Sequence, residues 1–136
     1  MANRSKAREK ILQILYLMEQ SGLQSGEAID FFGQNFETHD EEMPFIRFRI
    51  EGIETHLENL DKNIASASKN WKIHRMPKID RNILRLASFE MQHCEDIPHS
   101  VAINEAIELS KRFGEINSPK FINGILDRLA KELSAL

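Results

Sequence analysis

Ser118-Pro119-Lys120-Phe121-Ile122-Asn123-Gly124-Ile125-Leu126-Asp127 opens the last helix of this chain, and its reading decides the rest. Pro119 suits the first helical position, where its missing N–H costs nothing, and Ser118 before it is a natural N-cap. Phe121, Ile122, Ile125, Leu126, Leu129 and Leu133 then recur at three- and four-residue steps, an apolar stripe that needs other helices to cover it. Upstream, Val101, Ala102, Ile103, Ala106, Ile107 and Ser110 repeat at the same spacing. Phe113-Gly114 between them supplies a glycine suited to the left-handed position after a helix end. Ile97 to Leu129 therefore reads as a helical hairpin built mostly for packing.

The same periodicity runs back to the N-terminus. Asn3 to Gln20 reads as a helix with Ala7, Ile11, Ile14, Leu15 and Met18 on its buried side, ended by Gly22. A shorter helix begins at Ser25, with Ala28, Ile29, Phe32 and Phe36 inward. After the polar connection His39–Pro44, residues Ile46, Ile50, Ile53, Leu57, Leu60, Ile64 and Ala67 form a heptad-like seam, with Gly52 suggesting a close helix approach or a kink. A coiled-coil dimer and an intramolecular core are both compatible with that seam. Trp71 and Pro77 mark a break, after which Ile79, Ile83, Leu84, Leu86, Ala87 and Met91 supply another buried stripe. No stretch alternates with the period of a strand. The expectation is an all-α, compact bundle of six or seven helices, one domain over 1–136 with a basic segment at 1–10.

Composition agrees. A chain of 136 residues with six glycines and four prolines suits one helical core. No apolar run approaches the ~18 residues that span a bilayer, and no secretory signal pattern opens the chain. The single cysteine, Cys94, cannot form an internal disulfide, which fits a reducing cytoplasm. The net charge of −3 conceals segregation. Residues 1–18 carry Arg4, Lys6, Arg8 and Lys10 against Glu9; residues 19–61 carry eleven acids against Arg47 and Arg49. Residues 62–85 reverse again, with seven bases against Asp80. Such patterning can place a basic face on an acidic protein.

Catalytic chemistry finds no foothold. No two of His39, His56, His74, His93 and His99 stand three or four residues apart, and there is no paired-cysteine motif, phosphate loop or nucleophile elbow. Neither metal nor cofactor is expected, and the chain does not read as an enzyme. Asn104 and Glu105 are better explained as buried polar groups bonded to a neighbouring helix terminus.

Single-stranded RNA is a better fit, because its readers combine phosphate contacts with aromatic stacking. Arg4, Lys6, Arg8 and Tyr16 offer those groups near the start; Lys111, Arg112, Phe113, Asn117, Lys120 and Phe121 offer them at the hairpin connection. Cations in a first helical turn oppose the helix dipole, which points to another use for them. Asp80, by contrast, lies where a carboxylate favours the dipole, so it has a structural explanation of its own. Whether Phe113 and Phe121 stack on bases or pack in the core stays open.

Four separated motifs resemble the NusB family of bacterial transcription antitermination factors. They are Ala7-Arg8-Glu9 through Leu15-Tyr16; Asp80-Arg81-Asn82-Ile83-Leu84-Arg85-Leu86-Ala87; Ile97-Pro98 with Val101 to Leu109; and Phe121 to Asp127. The resemblance implies an all-helical RNA-binding protein that recognises boxA RNA of ribosomal-RNA leaders. It does so together with NusE, a small-subunit ribosomal protein, within an RNA polymerase antitermination complex. Carried over, it assigns RNA contacts to Arg4, Lys6, Arg8, Tyr16, Asn117, Lys120 and Phe121, and partner contacts to Asp80 and Arg85. It implies no cofactor. Two positions depart from the family's habit: the N-terminal tract is less dense in arginine, and Asn117 stands where an acid is common. Rival expectations are an accessory domain like those of rRNA cytosine methyltransferases, against which stands a chain ending at Leu136 without a methyl-donor site, and a helical homodimer through the Ile46–Ala67 seam.

Overall fold

The periodic stretches become α1 (Arg4–Ser21), α2 (Ser25–Asn35), α3 (Met43–Thr55), α4 (Leu57–Ser68), α5 (Lys78–His93), α6 (His99–Phe113) and α7 (Ser118–Ser134). Short 3-10 turns at Asp40–Glu42 and Ile73–Arg75 punctuate them, and no strand occurs among the described residues. This computed structural model describes residues 3–69 and 71–135, so the basic segment 1–10 is seen from Asn3 onward. Where the sequence reads as one domain, backbone contacts group the chain into two compact units, Met1–Thr55 and His56–Leu136.

In the first unit, α1 packs on α2 and α3, and α2 on α3. Asn3 caps α1 by accepting from the Lys6 N–H at 3.1 Å. Gly22 ends α1 at φ 76°, the left-handed conformation that glycine adopts without steric cost. The opening of α2 is closed from across the unit: Glu54 on α3 accepts from the Ser25 N–H at 2.8 Å and the Ser25 hydroxyl at 2.7 Å. A carboxylate there satisfies an orphan donor and faces the positive end of the helix. Ala7, Ile11, Ile14, Ala28, Ile29, Phe32, Ile46, Ile50 and Ile53 form the core. Phe36, expected inward, is 56% exposed and stacks on Phe32 with centroids 4.7 Å apart.

In the second unit, α5 and α6 pack together, α6 and α7 form the expected hairpin, and α4 packs on both α5 and α7. Leu60, Ile64, Ile83, Leu84, Ala102, Ala106, Ile122, Ile125, Leu126 and Leu129 are buried there. The heptad-like seam is interrupted at His56 rather than bent at Gly52. Ile46, Ile50, Ile53, Leu60, Ile64 and Ala67 are each at most 2% exposed, so the chain's own packing uses most of the seam, while Leu57 is left 37% exposed. Ile79 is exposed while Met76 takes the buried place. Asn104 is exposed as well, contrary to its expected burial.

The α6–α7 connection differs from expectation in an informative way. Gly114 is extended, at φ −92° and ψ −171°, not left-handed. Its lack of a side chain answers crowding instead, since an added Cβ would lie 2.8 Å from the Ser110 carbonyl oxygen and 2.8 Å from the Ser118 Cβ. Ser118 is not the N-cap, a place taken by Asn117, but a buried residue of the first turn. Its hydroxyl accepts from the Glu115 N–H at 3.0 Å and closes the connection.

Candidate nucleic-acid interface

The residues assigned to RNA and partner fall in both units. In the first, Arg4 and Lys6 are exposed on the opening turn of α1, and Tyr16 is 51% exposed three turns on. Lys6, Gln13, Tyr16 and Gln20 are all exposed at steps that return to one helix face. This face offers a cation, an aromatic ring and two amides able to bond base edges. Tyr16 is therefore not the core residue that its position one turn beyond Leu12 allows.

Arg8 is placed differently from Arg4 and Lys6. It is 2% exposed, with its guanidinium 5.3 Å from the centre of the Phe45 ring. Arg4 approaches the same ring at 5.2 Å and Arg49, itself buried, at 3.5 Å. Desolvated cation–π contacts contribute about 2 kcal/mol each and offset part of the cost of burying a guanidinium. Arg8 is thus buried in this unit beside Phe45, whereas Lys6 of the same tract is exposed. A cleft of about 370 Å³ opens beside the cluster, lined by Arg4, Glu41, Phe45, Phe48 and Arg49 among others.

In the second unit, Asn117 and Lys120 are exposed on the connection and first turn of α7. Phe121 is half-buried and meets Trp71 in a T-shaped pair, centroids 5.3 Å apart at 71°. Phe113 is 38% exposed, with the Arg112 guanidinium 5.3 Å from its centre, and Ile116 stands 94% exposed between the helices. The connection is therefore an open basic and aromatic surface rather than a sealed joint.

The two residues assigned to a partner, Asp80 and Arg85, both make contacts within the chain. Asp80 is 4% exposed and accepts a hydrogen bond from the Ser118 hydroxyl. Burial pushes its carboxyl above the usual range; the Ser118 bond pulls it down, and the charge of Glu115 adds to the rise. Asp80 so joins the start of α5 to the start of α7, and shapes the connection that presents Asn117 and Lys120. Arg85 makes a paired contact with Asp61, Nε to Oδ1 and Nη2 to Oδ2 both at 2.8 Å, and reaches Asn82 at 3.3 Å. Both charges are engaged within the chain.

Among the described residues, no group of three or more His, Cys, Asp or Glu side chains is placed to hold a metal, and no helix is long and apolar enough to cross a membrane. Cys94 is buried.

The family model of NusB matches residues 5–131, nearly the whole chain. This chain belongs to the NusB family. The transcription antitermination protein NusB of Syntrophus aciditrophicus (strain SB) is 46% identical over 129 residues, which cover 95% of this chain and 80% of the relative. The solved structure of T. maritima NusB matches with a TM-score of 0.86 at 34% identity, covering 96% of this chain and 92% of that one. A chain of the crystal structure of antitermination factors NusB and NusE in complex with dsRNA matches with a TM-score of 0.83. At 22% identity, with 95% of this chain and 96% of that chain covered, the last likeness is one of fold.

Within this NusB-family fold, Gln13, Gln20 and Trp71 are exposed on these surfaces although sequence reasoning did not single them out for binding. The amides carry no signal until the helix face is known to be open. Trp71 carried one, as the single tryptophan of the chain inside its second basic block, but it reads equally as a break between helices.

Proposed function

We propose that this chain is a cytoplasmic transcription antitermination factor that binds boxA RNA of ribosomal-RNA leader transcripts together with NusE, and so promotes processive transcription by RNA polymerase. The observation that carries the reading is the 46% identity, over 95% of the chain, to a protein named for transcription antitermination. The likeness to a chain from a complex of NusB, NusE and dsRNA supports the pairing of RNA with a protein partner.

The surface supports the same reading. Each unit presents cations and an accessible ring: Arg4, Lys6 and Tyr16 in the first; Asn117, Lys120 and Phe121 in the second. Phosphate contacts supply affinity and salt dependence, while rings and amides address bases. No bond is made or broken, so the factor acts as an adaptor without catalysis or cofactor. A second protein that adds contacts and lowers ordering costs tightens RNA binding. Asp80 supports the α7 connection, and Arg85 acts at a partner surface only if its pair with Asp61 is traded.

Fluorescence anisotropy of a labelled boxA RNA, with and without NusE, tests this. Selective binding over a scrambled RNA, tightened by NusE, is expected. Lys6→Ala should lower the slope of log affinity against log salt by about 0.7. Arg8→Ala should lower thermal stability without that change in slope. Equal binding to both RNAs in the presence of NusE sinks the proposal.

A further inference from the structure

We propose that Trp71 is a stacking platform for one unpaired base of single-stranded RNA, a subsite on the His56–Leu136 unit beside Lys120 and Phe121. The inference rests on the RNA-binding reading above and adds a residue and a contact type to it.

Three observations converge on this indole. It is 49% exposed, and its T-shaped contact with Phe121 occupies at most one face of the ring. Simple packing would bury the largest apolar side chain of the unit, but this one is held half open. The holding is built in. Lys69 adopts φ 60° and ψ −68°, the only positive φ of a non-glycine residue among the described residues. Lysine gains nothing from that conformation, so the surroundings impose it. Ser68 is buried, and its hydroxyl lies 2.9 Å from the Ala65 carbonyl oxygen and 2.8 Å from that of Trp71. The Ser68 hydroxyl thereby links the end of α4 to the Trp71 backbone, and the Trp71 ring stays half exposed.

Charge selects the occupant. From Lys62 to Ile79 the sequence contains no carboxylate, whereas Lys69, Lys72, Arg75 and Lys78 are all exposed. Lys120, next to the ring's partner Phe121, is exposed too. A protein segment seated on the indole would need acids to match these cations along its length. A single-stranded nucleic acid brings a phosphate with every base, and its bases stack on indole with little regard to sequence. The subsite should therefore add affinity more than base choice.

The chain's single tryptophan makes the test direct. Trp71 emission would be followed while the protein alone is titrated with boxA-containing RNA, alongside anisotropy of labelled RNA with and without NusE. The expected result is quenching with the same midpoint as the anisotropy. Trp71→Leu, which keeps an apolar contact for Phe121, should weaken RNA binding about 10-fold, and Trp71→Phe should restore most of the loss. The salt slope for Trp71→Leu should match that of the unsubstituted protein, whereas Lys72→Ala and Lys120→Ala should each flatten it by about 0.7. Binding without quenching, with Trp71→Leu as tight as the parent, overturns the subsite and leaves the adaptor reading intact. Weaker NusE binding by Trp71→Leu with unchanged RNA binding makes the ring a protein contact and also overturns it. If no RNA binds even with NusE, both readings fall.

Discussion

The Lys10 ammonium donates to both carboxylate oxygens of Glu42, at 2.9 and 2.7 Å, and the Glu42 carboxylate also accepts from the His39 N–H at 2.7 Å. A base of the N-terminal tract is thus consumed by an acid of the connection before α3. Burial alone would raise the Glu42 carboxyl, but the Lys10 and His39 bonds overcome it and hold it below 4.5. Because the folded pKa is depressed, the stabilisation is present above 4.5 and is lost as the pH falls through the folded value.

Removing one partner leaves the other charge buried, since the Glu42 side chain is only 4% exposed. Lys10→Met should therefore cost about 3 kcal/mol at pH 7, read by urea unfolding of the full chain. Lys10→Met combined with Glu42→Leu should recover most of that loss. Equal losses in the single and double variants would show that the carboxylate does not depend on Lys10.

The helices were legible from spacing because burial imposes a 3.6-residue period on them. Side-chain direction was legible only in part. Lys6 and Arg8 sit in one tract and look alike as sequence, yet Arg8 turns into the Phe45 cluster while Lys6 faces out. That division depends on Phe45 and Arg49, which lie some forty residues away and come near only through folding. The burial of Asp80 was hidden for the same reason: its partner Ser118 belongs to another helix. Gly114 was recognised as a necessary glycine for the wrong cause, because crowding by Ser110 and Ser118 leaves no trace in local sequence.

Gly114→Ala tests that crowding. The backbone oxygen of Ser110 cannot swing aside as a flexible side chain would, so the α6–α7 connection must shift. A loss of about 1–3 kcal/mol is expected. Gly22→Ala, strained by its φ of 76° but with no atom in the way, should cost about 1 kcal/mol. Thermal melts of both variants decide the matter: a Gly114→Ala protein as stable as its parent would remove steric contact as the reason for this glycine.

Asp80 should respond to pH in the opposite sense from Glu42. Its folded pKa is raised above 3.8, so its favourable contribution is complete below 3.8 and is lost as the pH rises through the folded value. Asp80→Asn keeps an acceptor for Ser118 without the buried charge, and should melt above the parent at pH 7 with the gap closing by pH 3.5. Asp80→Ala, which strands the Ser118 hydroxyl, should cost about 1–3 kcal/mol. An Asn variant less stable than the parent at pH 7 would show that the ionised carboxylate is itself needed.

His56 and His93 stack with centroids 4.2 Å apart and an interplanar angle of 18°, against Phe89. His93 Nε2 is buried without a hydrogen-bond partner among the described residues. Burial lowers the His93 pKa below 6.5, and the neighbouring His56 charge lowers it further. Neutral His93 therefore supports the fold above pH 6.5, and that support is withdrawn as the pH falls from 6.5 through the lowered value. The melting temperature should drop over this window, because protonation of His93 would place a charge on a ring whose Nε2 is buried without a hydrogen-bond partner among the described residues. His93→Phe retains the ring contacts without the charge, and should be less sensitive to pH over the same window by a few degrees of melting temperature. Parallel melting curves for parent and variant from pH 7.5 to 5 would show that His93 does not titrate with folding; a flattened curve would assign that part of the acid sensitivity to His93.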